Sequence, residues 1–235
     1  MSDPQSGERA ASPVEPREDQ SRRHEIQARF VWGAAAGLAG LLAVVLAGVL
    51  IRTVAGNRPI GLDQAWLDFL VGHRSDFLTT ITLALNLIGG PIVMTIVLTV
   101  VALVLFLAHR RRDAALFAIS AVGATLCSQT LKFVIARPRS IDQTVQAGGS
   151  SFPSGHTTMA AVVAVILILL VRRWWIWLVA VVWVALMAFS RTYLLVHWLS
   201  DTLAGAALGA SVVVIVWCGI QILAPPRLPT ADRVA

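Results

Sequence analysis

The sequence predicts an all-α membrane protein: a bundle of six transmembrane helices with both termini on the cytoplasmic side. Three observations carry that expectation. Of 235 residues, 57% are hydrophobic and only 14% charged, where a soluble domain has roughly a quarter charged. The mean hydropathy is +0.74, and the apolar runs approach or exceed the roughly 18 residues that carry a helix across a hydrocarbon core. The runs are also continuous. An outer-membrane barrel would instead show segments of about ten residues with alternating polarity. Together these exclude a soluble enzyme, a coiled coil and a disordered chain.

The elements follow in order. Residues 1–24 are rich in Pro, Ser, Glu and Arg and lack the apolar core of a secretory signal, so they read as a disordered cytoplasmic tail. The first span runs from Phe30 to Ile51 and is closed by Arg52. Residues 57–90 form a mixed stretch in which Leu62, Trp66, Leu67, Phe69 and Leu70 share a helical face, as in a helix lying on the membrane surface. Pro91 suits the first turn of a helix, where a missing N–H is harmless, and Ile92–Ala108 is the second span. Ala114–Ala136, Thr157–Val171, Trp174 to about Val196, and Thr202–Leu223 supply the third to sixth. A six-span domain thus occupies residues 25–224, followed by a short cytoplasmic tail, 225–235.

The net charge of +6 and pI of 10.9 point to topology and not to nucleic acid, because the basic residues sit between apolar runs. With the N-terminus inside, twelve of the 19 basic residues fall on the inner side and seven outside, the bias expected of cytoplasmic loops. The two cysteines, Cys127 and Cys218, lie in apolar runs and read as packing residues.

Ionisable residues at span ends are costly and tend to be functional. Here they gather on one side. Lys132 and Arg139 end the third span, His156 opens the fourth, and Arg191, His197 and Asp201 lie where the fifth gives way to the sixth. Lys132 is the sole lysine in the chain. His197 and Asp201 are four apart, a spacing that lets a carboxylate steady an imidazole across one helical face. Ser154 and Gly155 enter a helix whose first N–H groups are free, a natural anion site. Adding Lys132, Arg139 and Arg191 makes phosphate the matching anion, since arginine binds its oxygens bidentately and lysine adds a point charge.

These residues resemble the type 2 phosphatidic acid phosphatase family, whose motifs run K-x6-R-P, P-S-G-H and S-R-x5-H-x3-D. The second stands intact as Pro153-Ser154-Gly155-His156, and the third as Ser190-Arg191, His197 and Asp201. In the first, Lys132 leads to Arg139, but Ser140 replaces the closing proline, and an Arg-Pro pair occurs two residues earlier at Arg137-Pro138. The K-x4-R-P-R-P register of many bacterial members keeps both arginines, so the phosphate role falls to Arg139, with Arg137 as the fallback. Two residues apart in an extended segment, the two are expected to share a face and partly replace one another.

The resemblance implies His197 as nucleophile, Asp201 as its orienter and His156 as acid and then base. Lys132, Arg139, Ser154, Gly155 and Arg191 would hold the phosphoryl group, with no metal and no cofactor. The expected substrate is a lipid phosphate or diphosphate: a prenyl diphosphate such as undecaprenyl diphosphate, phosphatidic acid or phosphatidylglycerol phosphate. It would be hydrolysed on the outer face of the inner membrane among membrane lipids, with no nucleic-acid partner. The rival reading is a non-catalytic transporter or assembly factor that keeps a phosphate-binding site. Retention of His197, His156 and Asp201 together argues against it.

Overall fold

A computed structural model of the protein describes residues 15–224. Eight helices and no strands make up those residues: α1 Glu15–Thr53, α2 Gly61–Gly72, α3 Asp76–Ile88, α4 Pro91–Leu107, α5 Arg111–Ile135, α6 Gly155–Val171, α7 Trp174–Tyr193 and α8 Leu199–Leu223. The all-helical expectation holds. α1 begins at Glu15, within the stretch read as a disordered tail. The remainder of that stretch, 1–14, and the tail at 225–235 lie outside the described residues.

Local chemistry explains the helix boundaries. Ser75 caps α3 by accepting the Leu78 N–H at 3.3 Å. Pro91 takes the first position of α4 behind Gly90. α5 ends where Ala136 turns left-handed at φ 52°. The last carbonyls of α5 have no intrahelical donors. Arg52 donates to the Val134 carbonyl and Asn57 to that of Ile135, which ties the end of α1 to the end of α5.

The chain is a multi-pass membrane protein. Among the described residues, α1, α5, α7 and α8 are long and apolar enough to cross a bilayer. α3 and α4 meet the same test together, bent by 47° at the Gly89-Gly90 break, while α6 is apolar but only 17 residues long. The stretch 57–90 is therefore not a single surface helix. α2 is the amphipathic part, and α3 continues into α4 as one broken apolar unit. The face of α2 turned to the protein carries Trp66, Leu67 and the buried Leu70, but also Asp63 at 1% exposure, a carboxylate that the apolar face did not announce.

α8 is the centre of the bundle and packs against α1, α6 and α5; α6 also packs on α7, α4 leans on α5, and α3 leans on α7. Val162, Ile166, Leu208 and Val213 are wholly buried along the α6–α8 seam. Both cysteines are free; Cys218 is buried and Cys127 half-buried. Two glycines set the closeness of the seam, as small residues do between membrane helices. A Cβ on Gly205 would stand 2.6 Å from the Ser154 carbonyl, and one on Gly209 only 2.3 Å from that of Thr158. Backbone cannot yield as a side chain can. Gly209→Ala should therefore destabilise the folded protein by about 1–3 kcal/mol, the usual cost of overpacking. Gly219→Ala, where nothing lies within 4 Å, should be neutral or stabilise, because alanine is the better helix former by up to ~1 kcal/mol. Thermal unfolding in detergent measures both. Equal melting temperatures for the two variants would contradict the packing argument.

Candidate active site

Four segments converge at one end of the bundle: the last turns of α5, the loop 136–154, the first turn of α6 and the turn joining α7 to α8. Between them and α4 opens a cavity of about 250 Å³. Lys132, Arg139, Gly155, His156 and His197 line its polar end. One and two turns back along α5 the wall carries Gln129, Ser128 and Thr125, faced by Thr95 and Met94 of α4 and by Met159 of α6. Three residue groups far apart in sequence thus share one space. Among the described residues, no three His, Cys, Asp or Glu side chains come together in a group that could hold a metal ion.

Two cations are held by one carbonyl. Lys132 Nζ donates to the Ser150 oxygen at 2.9 Å and Arg139 Nη2 to the same oxygen at 3.2 Å, while Arg139 Nε donates to the Gly149 carbonyl at 3.2 Å. Arg139 Nη1 donates to the Val196 carbonyl and stands 3.1 Å from His197 Nε2. A guanidinium has no acceptor to offer. His197 Nε2 must therefore present its lone pair, and the ring proton resides on Nδ1. That nitrogen is buried, makes no hydrogen bond, and faces Asp201 Oδ2 at 3.7 Å. The carboxylate is placed to receive the proton but lies beyond bonding distance, and its Oδ2 accepts the Trp198 N–H at 2.9 Å. The pair also does not share a helical face. α8 begins only at Leu199, so His197 sits on the preceding turn, and Asp201 reaches back to it from the first turn of the helix.

Arg137 and Arg139 do not share a face. They straddle the 196–201 turn. Arg137 is 0% exposed; its Nη1 donates to Asp201 Oδ1 at 2.6 Å and to Ser200 Oγ at 2.8 Å, and its Nη2 donates to Asp63 Oδ2 at 2.7 Å and to the Arg58 carbonyl at 3.1 Å. The reason is electrostatic. A buried carboxylate on α2 must be paired, and Arg137 is the cation that pairs it. The expectation that one arginine could replace the other is thus overturned, and Arg139 alone of the two reaches the cavity.

The other expected site residues fall close by, with two differences. Gly155 and His156 occupy the first turn of α6, whose N–H groups lack intrahelical acceptors. Ser154 is wholly buried; its N–H donates to the Asp201 carbonyl at 3.0 Å and its Oγ accepts from Thr157 at 3.1 Å, so it braces the α6–α8 junction behind the cavity wall. Arg191 is 2% exposed and donates to Asn86 Oδ1 on α3. Asn86, Asp63 and Ser150 were not anticipated. Asn86 and Asp63 lie in the stretch that matches no motif, and Ser150 acts through its backbone carbonyl, which carries no side-chain signal.

The family model described as the PAP2 superfamily matches residues 114–223, the stretch from α5 to α8 that holds every residue of the three motifs. Residues 114–223 thus match the type 2 phosphatidic acid phosphatase family. Among its relatives, the undecaprenyl-diphosphatase of Sulfolobus acidocaldarius is 27% identical over 177 residues, covering 72% of this chain and 84% of that one. The fold resembles the crystal structure of a transmembrane PAP2-type phosphatidylglycerolphosphate phosphatase from Bacillus subtilis, with a TM-score of 0.70, 24% identity and coverage of 81% and 98% of the two chains. It also resembles Aquifex aeolicus LpxE, with a TM-score of 0.59, 21% identity and coverage of 67% and 95%. The family match covers α5–α8, and the likeness in fold extends beyond them, to 81% of the chain.

Burial, the largest effect on His197, pushes its imidazole down from an ordinary 6.5 to about 4, with the Arg139 and Lys132 charges acting in the same direction and Asp201 opposing. A depressed value means that the folded protein prefers the neutral ring, and that this preference costs stability as pH falls from about 6.5 towards 4. In ¹⁵N-histidine-labelled protein, the resonance that His197→Ala removes should report a neutral ring protonated on Nδ1 at pH 5.5, where a solvated imidazole is mostly charged. A ring already protonated at that pH would refute the assigned tautomer.

Proposed function

We propose that the protein is a lipid phosphatase that works through a phosphohistidine, without metal, on the extracytoplasmic face of the inner membrane. The observation that carries this reading is that His156, on the first turn of α6, and His197, on the turn before α8, open onto one cavity with Lys132 and Arg139. In the first step His197 Nε2 attacks phosphorus. The P–N bond forms as the bond to the lipid oxygen breaks, and His156 gives that oxygen its proton. In the second step His156 takes a proton from water, whose oxygen displaces His197 and releases phosphate. Asp201 faces the Nδ1 proton and steadies the charge that the ring acquires. Lys132, Arg139 and Arg191, with the first-turn N–H groups of Gly155 and His156, neutralise the phosphoryl oxygens, which is most of what phosphoryl transfer asks of a protein.

The cavity supports a substrate anchored in the bilayer. Its polar end meets the phosphoryl group, and its wall of Thr125, Ser128 and Met159 runs back along the helices, where the lipid end of the leaving group would lie. The relative's undecaprenyl diphosphate, phosphatidic acid and phosphatidylglycerol phosphate all fit that description. Purified protein should release phosphate from at least one of them in excess chelator, and vanadate should inhibit. His197→Ala should abolish turnover with the fold intact, and Arg139→Ala should lower kcat/KM by roughly 10²-fold or more, as the loss of one such donor does. Strict dependence on Mg²⁺, or turnover surviving His197→Ala, would refute the mechanism.

Six crossings follow if α3 and α4 act as one bent span and α6 crosses as well. Even crossings put both termini on one side, and the excess of basic residues on that side, twelve against seven, supports the cytoplasm as that side. A cysteine introduced between residues 140 and 150 should label with an impermeant maleimide in intact cells, and one at 110–112 only after lysis. The reverse pattern would turn the site inward.

A further inference from the structure

Asp201 cannot be considered alone. Its Oδ1 lies 2.6 Å from Arg137 Nη1, both side chains wholly buried, while its Oδ2 faces His197. A buried guanidinium at that distance would cancel most of the carboxylate's charge as His197 feels it. The cancellation is undone from α2. Asp63 Oδ2 pairs with Arg137 Nη2 at 2.7 Å, also at 0% side-chain exposure, so the three groups together carry one net negative charge and not zero. Both carboxylates also serve the starts of helices. Asp63 is the third residue of α2 and accepts the Ile60 N–H at 3.2 Å, as Asp201 is the third residue of α8 and accepts the Trp198 N–H at 2.9 Å. Asp63 also accepts the Ser200 N–H at 2.8 Å and its hydroxyl at 2.9 Å, capping the first turn of α8 from another helix.

We propose that Asp63 is a positioning residue for the phosphoryl-transfer site: by neutralising Arg137 it leaves the charge of Asp201 available to the His197 imidazole as that ring becomes cationic. The inference rests on the reading of His197 as nucleophile. Arg137 then serves to hold Asp201 in orientation, and Asp63 restores the charge that this hold would otherwise remove. The role acts on the transition state more than on substrate binding, because Asp63 lies behind the turn and does not line the cavity of Lys132, Arg139 and His156.

The test compares wild type, Asp63→Asn and the double variant Asp63→Asn/Arg137→Gln, each purified in detergent and assayed with phosphatidic acid and farnesyl diphosphate. Asp63→Asn keeps the shape and removes the charge. Its kcat should fall about tenfold or more with KM within about threefold. The double variant removes both charges and returns the net charge beside His197 to that of wild type, so its kcat should recover most of the loss. If Asp63→Asn does not fold, the double variant decides alone: kcat within about tenfold of wild type supports the proposal, and kcat at the His197→Ala background overturns it. A folded Asp63→Asn with unchanged kcat, with a rise in KM alone, or with no recovery in the double variant, overturns it as well. A wild-type chain that releases no phosphate from either lipid overturns the underlying functional reading instead, and this inference with it.

Discussion

A guanidinium fully buried between two carboxylates is the interaction around which this end of the bundle is organised. Arg137 has no exposed surface, and neither have the side chains it pairs with. Charges so buried cost several kcal/mol each in lost hydration, and stripping one partner from such a cluster typically costs about 3–5 kcal/mol. The cluster therefore tolerates little motion. It fastens α2, the loop after α5 and the first turn of α8 to one another. The backbone of the loop is drawn into the same arrangement. The Arg137 N–H donates to Ser150 Oγ and its carbonyl accepts from Ser151, while the Pro138 carbonyl accepts from the Trp198 indole. With Arg137 locked inward, Arg139 leaves Pro138 on the other side of the turn and reaches His197.

Much of this was legible in the chain. Continuous apolar runs located the spans, and the asymmetry of arginine suggested their direction. The motif residues Lys132, Arg139, His156 and His197 come to one cavity, as their common sidedness implied. What escaped was the part that depends on partners distant in sequence. Asp63 sits on the inner face of an amphipathic helix, and hydrophobic periodicity treats a lone carboxylate there as a surface charge or an interruption. Asp63 and Arg137 stand 74 positions apart, and nothing local hints that they meet. Likewise Ser154 reads as an anion ligand because it opens a helix, but its N–H is taken by the Asp201 carbonyl. Helix periodicity also placed His197 on the same helix as Asp201, whereas Leu195 adopts a left-handed conformation at φ 57° and the chain turns before α8 begins. Spacing was right and local geometry was not.

The loop after α5 thus sends its two arginines to opposite places, a buried ion-pair cluster and the cavity, two residues apart. Their environments differ accordingly. Arg137 is surrounded by acceptors of full negative charge, whereas Arg139 is held by the carbonyls of Gly149, Ser150 and Val196, which are only dipoles. A phosphoryl group can compete with dipoles for a guanidinium far more readily than with two carboxylates. The same reasoning separates Lys132, whose amine rests on one carbonyl, from a structural ion pair.

The contact of α6 with α8 runs backbone to backbone at Gly205 and Gly209, and the Ser154 N–H is bonded to the Asp201 carbonyl at its upper end. At those two points no side chain of α8 intervenes, so no change of rotamer lets the helices slide past one another there. When the surrounding bilayer is thinner or thicker than the protein's apolar girth, helices adjust by tilting, at a modest energy per ångström of mismatch. These two can tilt only as one body. His156 and Asp201, carried on their first turns, would keep their separation across membranes of different thickness, and the strain would be taken up where helices meet through flexible side chains, at α4 and at the hinge beside Gly89.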